Sequence, residues 1–321
     1  MRSLLSDNGF IWFLGVVEDR NDPSQLGRMR VRCYGFHTED KGQIPTEELP
    51  WAIPLQDITS AAINGMGRSP TGLVEGSWVV GFFLDGNRAQ EPVVIGSVAS
   101  APSEFPNKQK GFYDPNEVYP KFINESDVNR LARNSNTVFN TAKDADVTLD
   151  VPKANTTDKW SERKTTDLTK SGIKRYNTTY PKNHVYESES GHTVEFDDTE
   201  GAERINEHHK SGTFYEIDAD GTKVTRIVAN NYVIVEGSNN INIKGDVNLT
   251  IDSNCRTYIK GDWDIQVDGN KTEVVTGIVS ETYESSKLEN VSGSVTETYG
   301  SNQTTKISGN LDVDAARIDL N

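Results

Sequence analysis

Two different rhythms of apolar and polar residues run along this chain of 321 residues. In the first hundred residues, five short runs are rich in apolar and β-branched side chains: Phe10–Glu18, Arg28–Phe36, Pro50–Gln56, Gly76–Leu84 and Pro92–Val98. The second run alternates, with Met29, Val31 and Cys33 on one face and Arg30, Arg32 and Tyr34 on the other, as a half-buried strand does. The breakers NDP, PTG and DGN stand between runs, and no helical period of useful length intervenes. Five strands in so short a span predict a small barrel of the OB type. The longest apolar run, FIWFLGVV, is too short to cross a bilayer and reads as a buried strand.

The second rhythm starts at Val235 and has a period of eight. Its opening positions are Val235, Ile243, Ile251, Ile259, Val267, Val275, Tyr283, Val291, Tyr299 and Ile307. Its third positions are Gly237, Gly245, Ser253, Gly261, Gly269, Gly277, Ser285, Gly293, Ser301 and Gly309. Ten consecutive octads hold this phase without insertion or deletion, which marks a repeat architecture. Eight is even, so a strand of that period returns the same face at every repeat. A small residue two positions later permits a bend with close backbone approach. Each octad therefore reads as one strand and one corner.

The fifth octad position is apolar at Val247, Trp263, Val279, Val295 and Leu311 but polar at Lys271, Lys287 and Gln303. One or two buried side chains per octad do not offset the entropy of ordering an isolated chain. Three chains winding together remove that difficulty. The opening residues then form a trimer core along the axis, backbone groups pair between chains, and only the ends leave open edges. At ~4.8 Å per layer, ten octads make a shaft of about 50 Å. A single-chain solenoid with three octads per coil is the alternative, but such coils bury a fuller apolar interior.

Residues 101–183 change character, carrying Pro102, Pro106, Pro115, Pro120, Pro152 and Pro181 among many Asn, Thr, Asp and Lys. They read as an extended linker packing on its neighbours, with a helical turn or two in SDVNRLARNSN capped by Ser126. From Tyr186 strand-like runs return, including Thr193–Phe196 and Thr213–Ile217, separated by DDTEG, KSG and DADG turns. The expected organisation is thus all-β. A five-stranded OB barrel (1–100) is followed by a linker (101–183), a β-rich collar (184–234) and an intertwined triple-stranded β-helix (235–321).

Composition strengthens the case for assembly. Apolar residues make up 34 %, below the usual 45–50 % or so for globular chains. The net charge of −15 argues against a phosphate-binding or anionic-lipid surface, since such affinity comes mainly from Lys and Arg. Arg28, Arg30 and Arg32 form the only basic cluster of the barrel, where acidic residues outnumber basic ones by 11 to 7, and a solvated strand face accounts for it. From Val235 to Asp314 the balance is 13 acidic to 6 basic, which suits a soluble rod that avoids an anionic envelope. Cys33 and Cys255 lie in different regions and imply no disulfide scaffold, as in a chain made in a reducing cytosol.

The residues offer little catalytic chemistry. None of His37, His184, His192, His208 and His209 has HExxH or zinc-site spacing. EIDADGTKVTRI starts like a calcium loop, but Ile227 stands where a bidentate Glu is required, so DADG reads as a hairpin turn. No catalytic residue, metal ligand or cofactor is expected.

The blocks NDPSQLGRMRVRCYGFH, LPWAIPL and GSWVVGFFLDGNRAQEPVVIGSV resemble the N-terminal OB domain of the baseplate central spike of contractile-tailed phages. That family includes the phage tail lysozymes and is related to type VI secretion spikes. GFYDPNEVYPKFINESDVNRLARN resembles its post-barrel segment, the block after Tyr186 its collar, and the octads its VxGxxxxx needle. Some members carry a lysozyme domain between barrel and needle, with a Glu-x8-Asp-x5-Thr pattern. Nine residues past Glu104, Glu117, Glu125 and Glu162 stand Tyr113, Ser126, Asn134 and Ser171, none of them Asp. About eighty polar residues also cannot bury the core a glycosidase cleft needs, so the lytic domain is read as missing.

The resemblance implies a homotrimeric, non-enzymatic spike in the virion's tail baseplate, driven through the host envelope when the sheath contracts. Its barrel would attach to a separate hub protein, since the barrel starts about ten residues in. A separate tip protein would cap the blunt end at LDVDAARIDLN, because a trimer end exposes strand edges. The competing readings are a tail-associated peptidoglycan hydrolase and the spike of a type VI-like secretion or contractile injection system.

Overall fold

The alternating runs of the first hundred residues form β1 (Ile11–Asp19), β2 (Met29–Cys33), β3 (Trp51–Pro54), β4 (Trp78–Phe83) and β5 (Pro92–Ser97). These strands belong to a computed structural model that describes residues 11–135 and 147–318; Phe10 lies outside that range. They close into a barrel of order β1-β2-β3-β5-β4. Closure depends on one parallel pair, β3 with β5, where Ile53 faces Val93 and Pro54 faces Val94; the other pairs are antiparallel. The core is Phe13, Val17, Met29, Val31, Cys33, Ala52, Val79, Phe83 and Val94. Gly15 and Gly81 are required by close approach: a Cβ on Gly81 would lie 2.0 Å from the Val93 carbonyl oxygen, and one on Gly15 would lie 2.6 Å from Val31. Among the described residues there is no α-helix.

Two expectations need correction. The second strand stops at Cys33, not at Phe36, because the chain turns there: Gly35 has φ +81° and the Cys33 amide donates to His37 Nδ1 at 2.9 Å. The SDVNRLARNSN segment is described as far as Ser135 and makes a single turn there, with the Arg133 amide donating to the Asn129 carbonyl; Asn136 lies outside the described residues. Ser126 accepts only from Val128 two residues on, and Asn129 accepts from Leu131, so the capping side chain lies one turn later than expected.

Beyond the barrel, β6 (Val151–Pro152) and β7 (Lys159–Trp160) form a short ribbon. Then β8 (Asn183–Glu187), β9 (Thr193–Asp197), β10 (Arg204–His208), β11 (Phe214–Ile217) and β12 (Lys223–Arg226) form an antiparallel meander in sequence order. Its turns use the breakers read from the sequence. In DADG, Gly221 has φ +76° and donates to the Asp218 carbonyl at 2.8 Å.

The chain divides into two units, Met1–Thr250 and Ile251–Asn321, and the division falls between the second and third octads. From 227 to 318 every residue is exposed within the single chain and none is in a strand. The backbone nevertheless bends at the second and third positions of every octad, from 236–237 to 308–309.

Candidate functional site

The barrel's basic cluster is only partly solvated: Arg28 and Arg30 are half-buried, and Arg32 is not exposed at all. Arg32 is fully buried and forms a two-pronged ion pair with Glu18, Nε to Oε1 at 2.7 Å and Nη2 to Oε2 at 3.1 Å. Its remaining donors reach the carbonyls of Thr38 (2.7 Å) and Ile44 (2.8 Å). Glu18 also accepts from the Thr46 hydroxyl at 2.7 Å and from the Phe112 amide at 2.9 Å. The two charges thus fasten the β2–β3 connection and the post-barrel segment onto the barrel wall. Gly111 makes the approach possible, since a Cβ there would lie 2.4 Å from the Arg32 side chain. Arg28 is paired with Asp22 (2.7 Å), whose carboxyl is held well below the usual range first by Arg28 and then by amides of the Ser24–Arg28 turn. Arg30 donates to the Leu49 carbonyl at 2.7 Å and stacks over Trp51. All three guanidiniums are therefore engaged within the chain.

A groove of about 720 Å³ lies between the barrel and the post-barrel segment, lined in part by Tyr34, Trp78, Phe112 and Tyr113. Two of its carboxylates already have donors. Glu104 accepts from the Tyr113 hydroxyl at 2.5 Å, and Asp127 accepts from the Ser100 amide and hydroxyl. On the barrel exterior, β1 and β4 present an apolar strip in which Trp12 faces Phe82 and Leu14 faces Val80, with Trp12 57 % exposed.

The collar sheet is inside out. Its buried face is polar: Thr193, Glu195 and Asp197 on β9, and Arg204, Asn206 and His208 on β10. Arg204 bridges Glu195 (2.7 Å) and Glu216 (3.0 Å), and its guanidinium lies over the Tyr176 ring. Burial opposes its charge, but Glu195 and Glu216 outweigh that and raise its pKa. Asn183 donates to Glu195 at 2.8 Å, and Thr178 donates to Asp197. Arg175 and Arg163 occupy the carboxylates of Asp218 and Asp220, so the DADG acids serve the collar. His208 stacks on Phe214; burial, and then the neighbouring His209 and His192, lower its pKa.

The opening residues Val235, Ile243, Ile251, Ile259, Val267, Val275, Tyr283, Val291, Tyr299 and Ile307 are all between 41 and 55 % exposed. Apolar residues elsewhere in the octads are more open, such as Val247 (67 %), Trp263 (70 %) and Leu249 (77 %). The opening side chains are thus the least exposed large apolar residues of the octads. The corner residues Gly237, Gly245, Ser253, Gly261, Gly269, Gly277, Ser285, Gly293, Ser301 and Gly309 sit at the bends themselves. A Cβ at any of the seven corner glycines meets nothing within 4 Å in the single chain.

The described residues thus comprise a closed five-stranded barrel of the OB type, an antiparallel meander and an octad repeat that forms no strand within the chain. Residues 35–173 match the family described as the Gp5 N-terminal OB domain. Protein Gp5 of Vibrio phage KVP40 is 41 % identical over 285 residues, which cover 78 % of this chain and 65 % of that protein. The pre-baseplate central spike protein Gp5 of Enterobacteria phage T4 is 48 % identical over 119 residues, 36 % of this chain and 20 % of the T4 protein. The chain therefore spans less than two thirds of the relatives it matches. The match runs past the barrel to Ile173, so the post-barrel segment belongs to the recognised region along with β3, β4 and β5.

Proposed function

We propose that this protein is the homotrimeric central spike of a phage contractile-tail baseplate, a virion component that punctures the host envelope when the sheath contracts. The observation that carries the reading is the octad segment. Its backbone bends every eight residues while no strand forms within the chain from 227 to 318. A single-chain solenoid would pair successive coils within the chain. Unpaired extended backbone with regular corners is what one chain of an intertwined β-helix presents. The name of the T4 relative, pre-baseplate central spike protein Gp5, supports the placement in a baseplate.

In this reading the three copies share a thread of opening Val, Ile and Tyr residues, and the corner glycines let neighbouring backbones approach. The barrel attaches to a separate hub protein, and the exposed Trp12–Leu14 strip on β1 and β4 supports that role. A tip protein caps the strand edges at the far end of the needle. The chain acts mechanically and not as an enzyme, since stiffness follows from continuous hydrogen bonding between chains.

Sedimentation equilibrium of the full chain in mild buffer tests the proposal. A mass of three chains is expected, and a monodisperse single copy would overturn it. Loss of turbidity of a peptidoglycan suspension on adding the trimer would refute the non-enzymatic part alone.

A further inference from the structure

A five-stranded sheet in water normally turns its apolar face inward and its polar face outward. The collar does the reverse, and its polar face is committed. The Arg204–Glu195 pair is buried there at 1 % and 0 % side-chain exposure, and Tyr176 covers it. Buried atoms of Asn183, Thr193, Glu195, Arg204, Asn206 and His208 on this face have no protein partner. Such a face contributes little net stability, so the opposite face must supply it.

That opposite face is open and carries an apolar cluster, with Glu207 between Val194 and Tyr215 and with His184 and Lys223 on the outer strands. Strand register sets Phe196 beside Ile205 and Ile205 beside Ile217 in one row, and Tyr186 beside Val194 in the next. Tyr186 is 68 % exposed and Phe196 53 %. Immediately after β12 the chain runs IVANNYVIV (227–235), nine residues without a charge. Val228 is anchored beside the β10–β11 turn, its amide donating to Thr213 Oγ1 at 3.2 Å. Tyr232, Val233 and Ile234 beyond it are 74–85 % exposed and do not lie on their own sheet. One chain thus carries an uncovered apolar cluster and an uncovered apolar, uncharged strand-length segment, and does not bring them together.

We propose that the 227–235 segment of a second copy covers the Tyr186–Phe196–Ile205 face of each collar, making the collar a subunit interface. This rests on the trimeric reading above and identifies the partner of the face. The segment leads directly into the first octad at Val235, so the crossing from one protomer to the next would begin at the collar and set the register of the repeat below it. Nine extended residues span about 30 Å, more than the roughly 20 Å across a five-stranded sheet, so the segment is long enough to cross the face.

The test places the photo-crosslinking residue p-benzoylphenylalanine at Phe196, a change that keeps an aromatic ring. Nitrogen-15-labelled and unlabelled full chains are co-assembled and irradiated. The expected product is a band at twice the chain mass on a denaturing gel, with mixed-isotope peptides joining position 196 to residues 227–235. A trimer whose position 196 joins only its own chain, joins another segment, or gives no product overturns the proposal and leaves the trimer standing. A single-copy protein in sedimentation removes both. The same probe at Tyr186, in the neighbouring row, gives an independent reading: a crosslink to the 227–235 segment of another copy is expected there too.

Discussion

Replacing Arg32 by Met removes one charge from a pair that water does not reach. The variant deletes both hydrogen bonds to Glu18 and those to the carbonyls of Thr38 and Ile44. Glu18 keeps its donors from Thr46 and Phe112 but loses its countercharge at 0 % exposure. Breaking a buried pair from one side costs about 3–5 kcal/mol. With a urea slope of about 2 kcal/mol/M, the barrel transition should move down by roughly 2 M. Urea titration of the full chain, followed by tryptophan fluorescence from Trp12, Trp51 and Trp78 in the barrel, reads that shift. Amide exchange at Phe112 and Gly111 should quicken in parallel, because the post-barrel segment is fastened through Glu18. Adding Glu18→Gln to Arg32→Met removes the stranded charge and should recover more than half of the loss. A single-variant shift below about 0.5 M would mean that the pair is solvated in the working protein and would refute the reasoning.

The remaining expectations are shorter. Ile259→Asp should abolish three-chain assembly: covering the 41 % of Ile259 still exposed is worth about 1 kcal/mol per chain, and three carboxylates brought together cost several more. A trimeric mass retained by that variant would displace Ile259 from the axis. His208 has a pKa lowered from the ordinary 6.5 by burial, so the unfolded chain takes up its proton first as pH falls. Stability should therefore be flat above about pH 6.5 and decline below it until the folded pKa is passed, and His208→Gln should flatten that slope in denaturation midpoints taken at pH 7.5 and 5. Burial raises the Cys33 thiol to about 12, so iodoacetamide should modify it only once the barrel unfolds. Labelling of Cys33 itself in native buffer within minutes, told apart by peptide mass from the exposed Cys255, would show that the barrel opens locally.

Elements governed by local rules were legible in the chain. The five barrel runs match the observed strands to within a residue or two at most ends, because alternation and turn breakers are written in consecutive residues. The DADG turn was legible for the same reason. The burial of Arg32 was not. An Arg alternating with Val31 and Cys33 looks like the wet side of a strand, and only the fold brings Thr38, Ile44 and Phe112 over it. The collar misleads in the same way. Alternation in Thr193–Asp197 is plain, but it does not say which alternate set faces the chain's own Tyr176 and Thr178.

What the sequence determined by itself was the period of eight and the positions of its corners, since an even repeat of strand residues fixes a face without any long-range contact. It also supplied the expectation of assembly, because one or two apolar side chains per octad fall short of the entropy of ordering it. Only the tertiary structure decided which polar side chains lie inside. Burial of a charge depends on partners far apart in the chain, here Glu18 with Phe112 and Arg175 with Asp218, and spacing along the sequence does not encode their convergence.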